Sequence, residues 1–144
     1  MGWSARLQQE FLRFHGWVYR SSNGLIGHHM IGVPTLLLET TGRHSGERRI
    51  NALVYASDGH ALVVVASNGG SDRPPAWLLN LRADPEVAVQ RARRRTAAQA
   101  RVVSGDDPEY GRLWRLVNQT NHGRYDVYQS KTQRSIPLVV LTPI

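Results

Sequence analysis

Two segments with the residue pattern of β-strands flank the dipeptide Asp58-Gly59, and this arrangement constrains the fold more than any other feature. From Arg49 to Ser57 apolar and polar residues alternate, as in a strand with one buried face. The segment from His60 to Ser67 contains the aliphatic run Leu62 to Val65. Asp-Gly between such segments is a strong signal for a tight turn. The sequence therefore predicts an antiparallel hairpin over residues 49–67.

Further strand and helix patterns surround this hairpin. Strands are predicted at residues 35–41, 86–91, 96–103 and 136–141, with the basic turn Arg93-Arg94-Arg95 before the third of these. Short helices are predicted after Pro75, after the Asp106-Asp107 pair with Pro108 and Glu109 in the first turn, and at residues 125–130. The lack of a regular strand–helix alternation argues against a parallel sheet. We predict a mainly β (α+β) fold, an antiparallel six-stranded barrel with flanking helices.

The N-terminal region has a different pattern. Residues 4–20 form a predicted helix whose apolar stripe comprises Trp3, Leu7, Phe11, Phe14 and Val18, with arginines elsewhere. Such a helix either packs on the domain or contacts a membrane surface peripherally. No secretory signal is recognisable, so the prediction is a cytoplasmic protein, with the inner face of the membrane as the alternative location. We divide the chain into residues 1–33, a helix and loop, and residues 34–144, the barrel.

The charge balance indicates an anionic partner. The formal net charge is +7 in 144 residues, and Lys131 is the only lysine, so the excess is almost entirely arginine. An acidic ligand, an anionic membrane or a nucleic acid could use this charge, as could plain solvent. A nucleic-acid-binding barrel needs aromatic platforms on its strands, and only Tyr55 lies on one, so no nucleic-acid partner is predicted. The absence of cysteine excludes thiolate chemistry, and the histidines show no metal-ligand spacing.

A basic turn joins the first two predicted strands. Its glycines, Gly42 and Gly46, allow successive amides to point inward, and Ser45 adds a hydroxyl. The surrounding cations are Arg43, His44, Arg48 and Arg49. Fixed amides combined with guanidinium groups suit a phosphate or carboxylate. The turn is therefore a candidate anion site, with an ordinary solvated turn as the alternative.

Three other segments could surround a flat ring. The sequence Ser67-Asn68-Gly69-Gly70 follows a strand directly, and glycines there allow a ring to approach the backbone. Pro75-Ala76-Trp77 could form one wall of such a site. Tyr125 and Tyr128 could line an apolar pocket and donate a proton. Plain turn or core packing is the alternative for each of these segments.

A series of short motifs runs in fixed order from about Pro34 to the end of the chain. The series comprises Leu36–Glu47, Asn51, Val65-Ala66-Ser67, Gly69-Gly70, Pro75 to Leu81, Asp84-Pro85, Tyr125-x-x-Tyr128-Gln129, Thr132, Arg134 and Ile136-Pro137. In this order and spacing the motifs resemble the deazaflavin-dependent nitroreductase family, split β-barrel reductases that use coenzyme F-420, an 8-hydroxy-5-deazaflavin. The resemblance implies a split β-barrel oxidoreductase that passes hydride from the reduced coenzyme to a quinone, a nitroaromatic or another electron-poor apolar acceptor.

The resemblance also implies residue roles. The basic turn would hold the coenzyme's phosphate and acidic tail through Arg43, His44, Ser45, Gly46 and Arg48. The deazaflavin ring would lie against Asn51, Leu53, Val54, Tyr55, Val65, Ala66, Ser67, Asn68, Gly69 and Gly70, with Pro75, Ala76 and Trp77 closing over it. Tyr125, Tyr128 and Ser67 would face the reacting end as the catalytic groups. No metal is implied, and the chain would act as a monomer or a homodimer.

The sequence departs from the family pattern at two positions where lysine is usual, which are occupied by His44 and Asn68. Each loss removes a positive charge near an anionic coenzyme and would weaken binding by about 1.5–3 kcal/mol. Two alternatives therefore stay open at this point. The first is the same chemistry with FMN in place of the deazaflavin, and the second is a non-catalytic binder of an anionic or lipid-like ligand.

Overall fold

A computed structural model describes residues 33–144, which form one seven-stranded sheet with three helices. The strands are β1 (Thr35–Thr41), β2 (Arg48–Val54), β3 (Ala56–Asp58), β4 (Ala61–Val65), β5 (Glu86–Arg91), β6 (Arg94–Val103) and β7 (Leu138–Pro143). The helices are α1 (Ala76–Ala83), α2 (Tyr110–Thr120) and α3 (Arg124–Ser130). Every strand pairing is antiparallel, in the order β2-β1-β5-β6-β7-β4-β3. The predicted helix at residues 4–20 lies outside the described residues.

The sheet curls into a half-barrel, which confirms the predicted antiparallel split-barrel class. Because successive side chains of a strand point to opposite faces, each central strand contributes to two cores. In β4, Leu62 and Val64 enter an inner core that α1 covers. Val63 and Val65 enter an outer core that α2 and α3 cover. The half-barrel therefore has helices packed on both of its faces.

The predicted long hairpin is only partly correct. Its first strand is interrupted at Tyr55, whose amide donates to the carbonyl of Pro34 at 3.1 Å. The part before Tyr55 forms β2, which pairs with β1 over seven residue pairs, and only β3 pairs with β4. Alternation shows that a segment is a strand and does not show which partner it takes. The sheet consequently has seven strands instead of the predicted six.

Other boundaries differ by a few residues. The turn between β5 and β6 is Ala92-Arg93, with Ala92 at a φ of 52°, so Arg94 and Arg95 belong to the strand and not to the turn. Pro108 and Glu109 precede α2 instead of opening it. The last strand begins two residues later than predicted. Among residues 33–144, no helix is both long enough and apolar enough to cross a membrane.

Candidate active site

The basic turn between β1 and β2 is closed by its own hydrogen bonds. The amide of Gly42 donates to the carbonyl of Glu47 at 2.6 Å, and the amide of Gly46 donates to that of Gly42 at 2.8 Å. Ser45 Oγ accepts from the amide of Glu47 at 3.1 Å. Within residues 33–144, the amides of His44 and Ser45 donate to no partner. Two adjacent amides at an exposed, basic tip are the donors that an anion requires.

Asn80 of α1 fixes the start of this turn. Its Oδ1 accepts from the amide of Arg43 at 3.1 Å and from Arg43 Nη1 at 3.3 Å. Its Nδ2 donates to Thr40 Oγ1 at 3.2 Å, and the residue is only 4% exposed. A buried amide with both ends bonded holds its neighbours in one geometry. The basic turn and α1 therefore form one connected unit.

Arg48 has a different environment from Arg43. Its Nη1 lies 2.8 Å from Glu39 Oε1, and Arg95 Nη2 lies 3.0 Å from Glu39 Oε2. Glu39 is only 3% exposed; burial raises the pKa of its carboxyl, and the charges of Arg95 and Arg48 offset part of that rise. Arg49 alternates to the opposite face of β2 and lies 3.5 Å from Glu47. Much of the charge of Arg48 is thus matched by a buried carboxylate.

The segment after β4 forms a tight turn, here called the glycine loop (residues 66–71), in which Asn68, Gly69 and Ser71 are exposed. Asn68, Gly69 and Gly70 have φ angles of 45°, 65° and 88° in succession. The amide of Gly70 donates to the carbonyl of Ser67 at 2.9 Å, and Asn68 Nδ2 donates to the carbonyl of Arg73 at 2.9 Å. Gly69 has open space where a side chain would lie, so a flat group can approach its peptide plane, whereas Gly70 is buried against α3.

Part of the predicted ring site lies on the inner core. Leu53, Tyr55, Ala66 and Trp77 all belong to this core, and Leu53 and Tyr55 are only partly buried there. The guanidinium carbon of Arg91 lies 5.7 Å from the centre of the Tyr55 ring. This edge of the core thus presents apolar and aromatic surface that is not fully covered, which suits a planar ligand.

The predicted tyrosines lie on the outer core, together with Val65. Tyr125 is 5% exposed, and its ring centre lies 6.3 Å from that of Trp114 and 6.1 Å from that of Tyr128. Burial raises the pKa of the Tyr125 hydroxyl well above its usual value, and the Asn121 side chain offsets only part of the rise. Tyr125 is therefore protonated throughout the neutral range.

The glycine loop meets the tyrosine helix at one point of close approach. A Cβ added at Gly70 would lie 2.7 Å from the carbonyl oxygen of Tyr128. The backbones of the loop and α3 are therefore in direct contact, which places the backbone of Tyr128 beside the glycine loop. The remaining predicted site residues divide into exposed ones, namely Asn51, Asn68, Gly69 and Ala76, and buried ones, namely Val54, Ser67 and Pro75.

The sequence interpretation gave no role to several residues that organise this region. Asn80 and Arg134 belong to the ordered motifs, but their residue types alone indicate no role in the site. Glu39 lies within an apolar strand, and a carboxylate there signals a buried ion pair, since such residues are rarely buried alone. Arg95 was placed in a turn and in fact reaches Glu39 from β6.

Comparison with known proteins identifies the family. A family model described as F420H(2)-dependent quinone reductase matches residues 11–143. The chain belongs to the F420H(2)-dependent quinone reductase family. The F420H(2)-dependent quinone reductase Rv1261c of Mycobacterium tuberculosis is 47% identical over 134 residues, which cover 92% of this chain and 90% of the relative.

Solved structures agree with this assignment. An F420-H2 dependent reductase (FDR-A) is 33% identical with a TM-score of 0.67, covering 75% of this chain and 93% of that one. A second structure, described as a domain-swapped dimer, is 30% identical with a TM-score of 0.68, covering 88% of this chain and 98% of that one. Family membership confirms the predicted oxidoreductase class, the dependence on coenzyme F-420 and the transfer of hydride to a quinone.

Proposed function

We propose that this quinone reductase holds coenzyme F-420 between the basic turn, the glycine loop and the start of α1. The observation that carries the proposal is the bonding of Asn80, which joins Arg43 of the turn to the helix that begins beside Trp77. The anion site and one wall of the ring site are thereby fixed to each other. A coenzyme with a ring at one end and an anionic tail at the other needs this arrangement.

The anionic part would bind at the basic turn, whose donor set suits a phosphate. The amides of His44 and Ser45 have no partner among the described residues, and Arg43 and His44 are exposed beside them. Gly46, at a φ of 73°, gives the turn its shape. Arg48 would add charge at longer range, since it also pairs with Glu39. Guanidinium and amide donors together bind phosphate without lysine.

The deazaflavin ring would lie over the glycine loop and the partly covered edge of the inner core. Leu53, Val54, Tyr55 and Asn51 would border it from β2 and the residue after it, and Val65 to Gly70 would lie beneath it. Pro75, Ala76 and Trp77 would cover the remaining side. When bound, the coenzyme supplies the hydride, and these residues orient the ring and exclude water.

Reduction of a quinone to its hydroquinone takes one hydride and one proton. Tyr128 is half-buried next to the glycine loop, and Ser67 lies at its base. Tyr125 holds its proton at neutral pH and would donate a hydrogen bond behind Tyr128. We propose Ser67, Tyr125 and Tyr128 as the groups that bind the acceptor oxygen and deliver the proton.

We extend the proposal to other electron acceptors and to the location of the protein in the cell. Nitroaromatic compounds would be alternative acceptors at the same apolar site. The protein would be cytoplasmic, as a monomer or a homodimer, with residues 4–20 making peripheral contact with the inner face of the membrane, where apolar quinones dissolve. Binding of the protein to vesicles of anionic phospholipid, lost on removal of residues 1–20, would test the membrane part.

The decisive test is parallel titration of the purified protein with oxidised F-420 and with FMN, followed by fluorescence. We expect saturable binding of F-420 alone, and oxidation of reduced F-420 on addition of a short-chain naphthoquinone. Preference for FMN would instead support the flavin alternative. Binding of F-420 without turnover of any quinone or nitroaromatic would support a non-catalytic binder.

A further inference from the structure

Arg134 makes an unusual set of contacts with the glycine loop. Its Nη2 donates to the carbonyls of Ala66 at 3.2 Å and Ser67 at 2.8 Å. Its Nε donates to the carbonyl of Ser71 at 2.8 Å. A single guanidinium group thus bonds both ends of the loop, and only an arginine side chain has this planar arrangement of donors.

The backbone of Arg134 is itself fixed by α3. Gln129 Nε2 donates to the carbonyl of Arg134 at 2.7 Å, and Gln129 Oε1 accepts from the amide of Ile136 at 2.9 Å. In the same segment, Thr132 Oγ1 donates to Asp72 Oδ1 at 2.7 Å, just beyond the loop. The segment that follows the tyrosine helix therefore contacts the loop through two side chains, and its own position is set by Gln129.

The loop has few internal contacts of its own. Its backbone hydrogen bonds are Gly70 to Ser67 at 2.9 Å and Ser71 to Asn68 at 3.1 Å. Glycine loses more conformational freedom on folding than any other residue, and Asn68 adopts the left-handed conformation beside the two glycines. A turn of this kind keeps one shape only when contacts from outside specify it.

From these contacts we infer that Arg134 is a positioning residue for the deazaflavin ring. By fixing the carbonyls of Ala66, Ser67 and Ser71, it preforms the surface on which the ring lies and sets that surface relative to Tyr128. The inference rests on the proposed function, which places the ring at this loop. It assigns Arg134 to ring binding, in contrast to Arg43, which is assigned to the anionic tail.

Binding of the ring and binding of the anionic tail can be tested separately. The probes are F-420 and the 8-hydroxy-5-deazaflavin that carries only the ribityl chain, without phosphate or tail. We expect Arg134→Gln to raise the Kd of both probes by the same factor, about tenfold or more. Arg43→Gln should raise the Kd of F-420 only. Arg115→Gln, at an exposed position on α2, serves as the matched control and should change neither Kd.

A second readout separates positioning from general stability. In Arg134→Gln without ligand, the amides of Gly70 and Ser71 should exchange hydrogen faster, while those of β4 and β7 keep their wild-type rates. The KM for a naphthoquinone should change less than the Kd for the ring fragment, because the acceptor contacts other residues. A uniform rise in exchange over the whole sheet with unchanged Kd values would overturn the inference.

If Arg134→Gln does not fold, the Kd values are measured for Arg134→Lys instead, because lysine keeps the charge but lacks the planar arrangement of donors. A raised Kd for the ring fragment in the folded lysine variant supports the inference, and an unchanged Kd overturns it. If Arg43→Gln weakens the binding of F-420 but Arg134→Gln binds the ring fragment with the wild-type Kd, the proposed function stands and the inference fails. If the wild-type protein binds neither probe, both fail.

Discussion

Asn80 Oδ1 accepts two hydrogen bonds from Arg43, one from its amide at 3.1 Å and one from its guanidinium at 3.3 Å. The two residues lie 37 positions apart in sequence, on α1 and at the start of the basic turn. Because Asn80 is also bonded to Thr40, the backbone and the side chain of Arg43 are held together in one orientation. The relationship ties an anion-binding turn to the wall of the proposed ring site.

Replacing Asn80 with alanine should therefore affect both stability and tail binding. We expect the free energy of unfolding to fall by about 1–3 kcal/mol, because the Arg43 amide and the Thr40 hydroxyl lose their partner. The Kd for F-420 should rise, while that for the tail-less deazaflavin stays near the wild-type value. Denaturant titration and fluorescence binding measure the two effects. Gln119→Ala, at an exposed position of α2, is the control. Equal losses for both probes in Asn80→Ala would contradict the assignment.

Arg48 and Arg43 should respond differently to substitution. Since Arg48 pairs with buried Glu39, Arg48→Gln leaves that carboxylate with Arg95 as its described partner. We expect about 1–2 kcal/mol of lost stability and only a small change in the Kd for F-420. Arg43→Gln should give the opposite pattern. Thermal unfolding and fluorescence titration compare the two, and a larger binding loss at Arg48 would show that it contacts the phosphate directly.

Two adjacent glycines give a matched test of the contact between the loop and α3. Gly69→Ala places its Cβ in open space and should cost only about 1 kcal/mol for the left-handed backbone. Gly70→Ala places its Cβ 2.7 Å from the carbonyl oxygen of Tyr128 and should cost about 1–3 kcal/mol more. Urea unfolding midpoints measure the difference. Equal costs would mean that α3 does not press on the loop.

Tyr125 should make stability sensitive to alkaline pH. Its pKa is raised by burial in the folded state, whereas in the unfolded chain it titrates near the ordinary value of 10.0. As the pH rises, the unfolded state therefore releases the tyrosine proton first. The contribution of Tyr125 to the free energy of unfolding is full below about pH 10 and is lost as the pH rises further. The stability of the wild type relative to Tyr125→Phe should fall between about pH 9 and 11. Burial also raises the pKa of Tyr110. Because Tyr110 is present in both proteins, its titration contributes equally to both stabilities and does not affect their difference. A constant difference across this range would contradict the prediction.

Local patterns anticipated much of this fold. A tight turn forms between β3 and β4, at Gly59-His60 and so one residue later than predicted, and the helix after Pro75 forms as predicted. Both were accessible to sequence because turn residues and side-chain alternation act over a few residues. Patterns of this short range cannot show the change of strand partner at Tyr55. The pairing of β2 with β1 depends on which strands compete for the same neighbour, and the alternation of apolar and polar residues within one strand does not indicate this.

The order of short motifs was sufficient to indicate the family, the coenzyme and the class of reaction, since a functional site constrains residue types and their spacing. The sequence could not show that Arg48 is paired with Glu39, that Asn80 holds Arg43, or that Arg134 bonds the glycine loop. Arginines with similar local surroundings take different roles here, because which one meets a buried carboxylate, an amide or a carbonyl depends on residues far away in the chain. Sequence by itself determined the chemistry available to this protein, and the tertiary contacts decided which side chains are left to perform it.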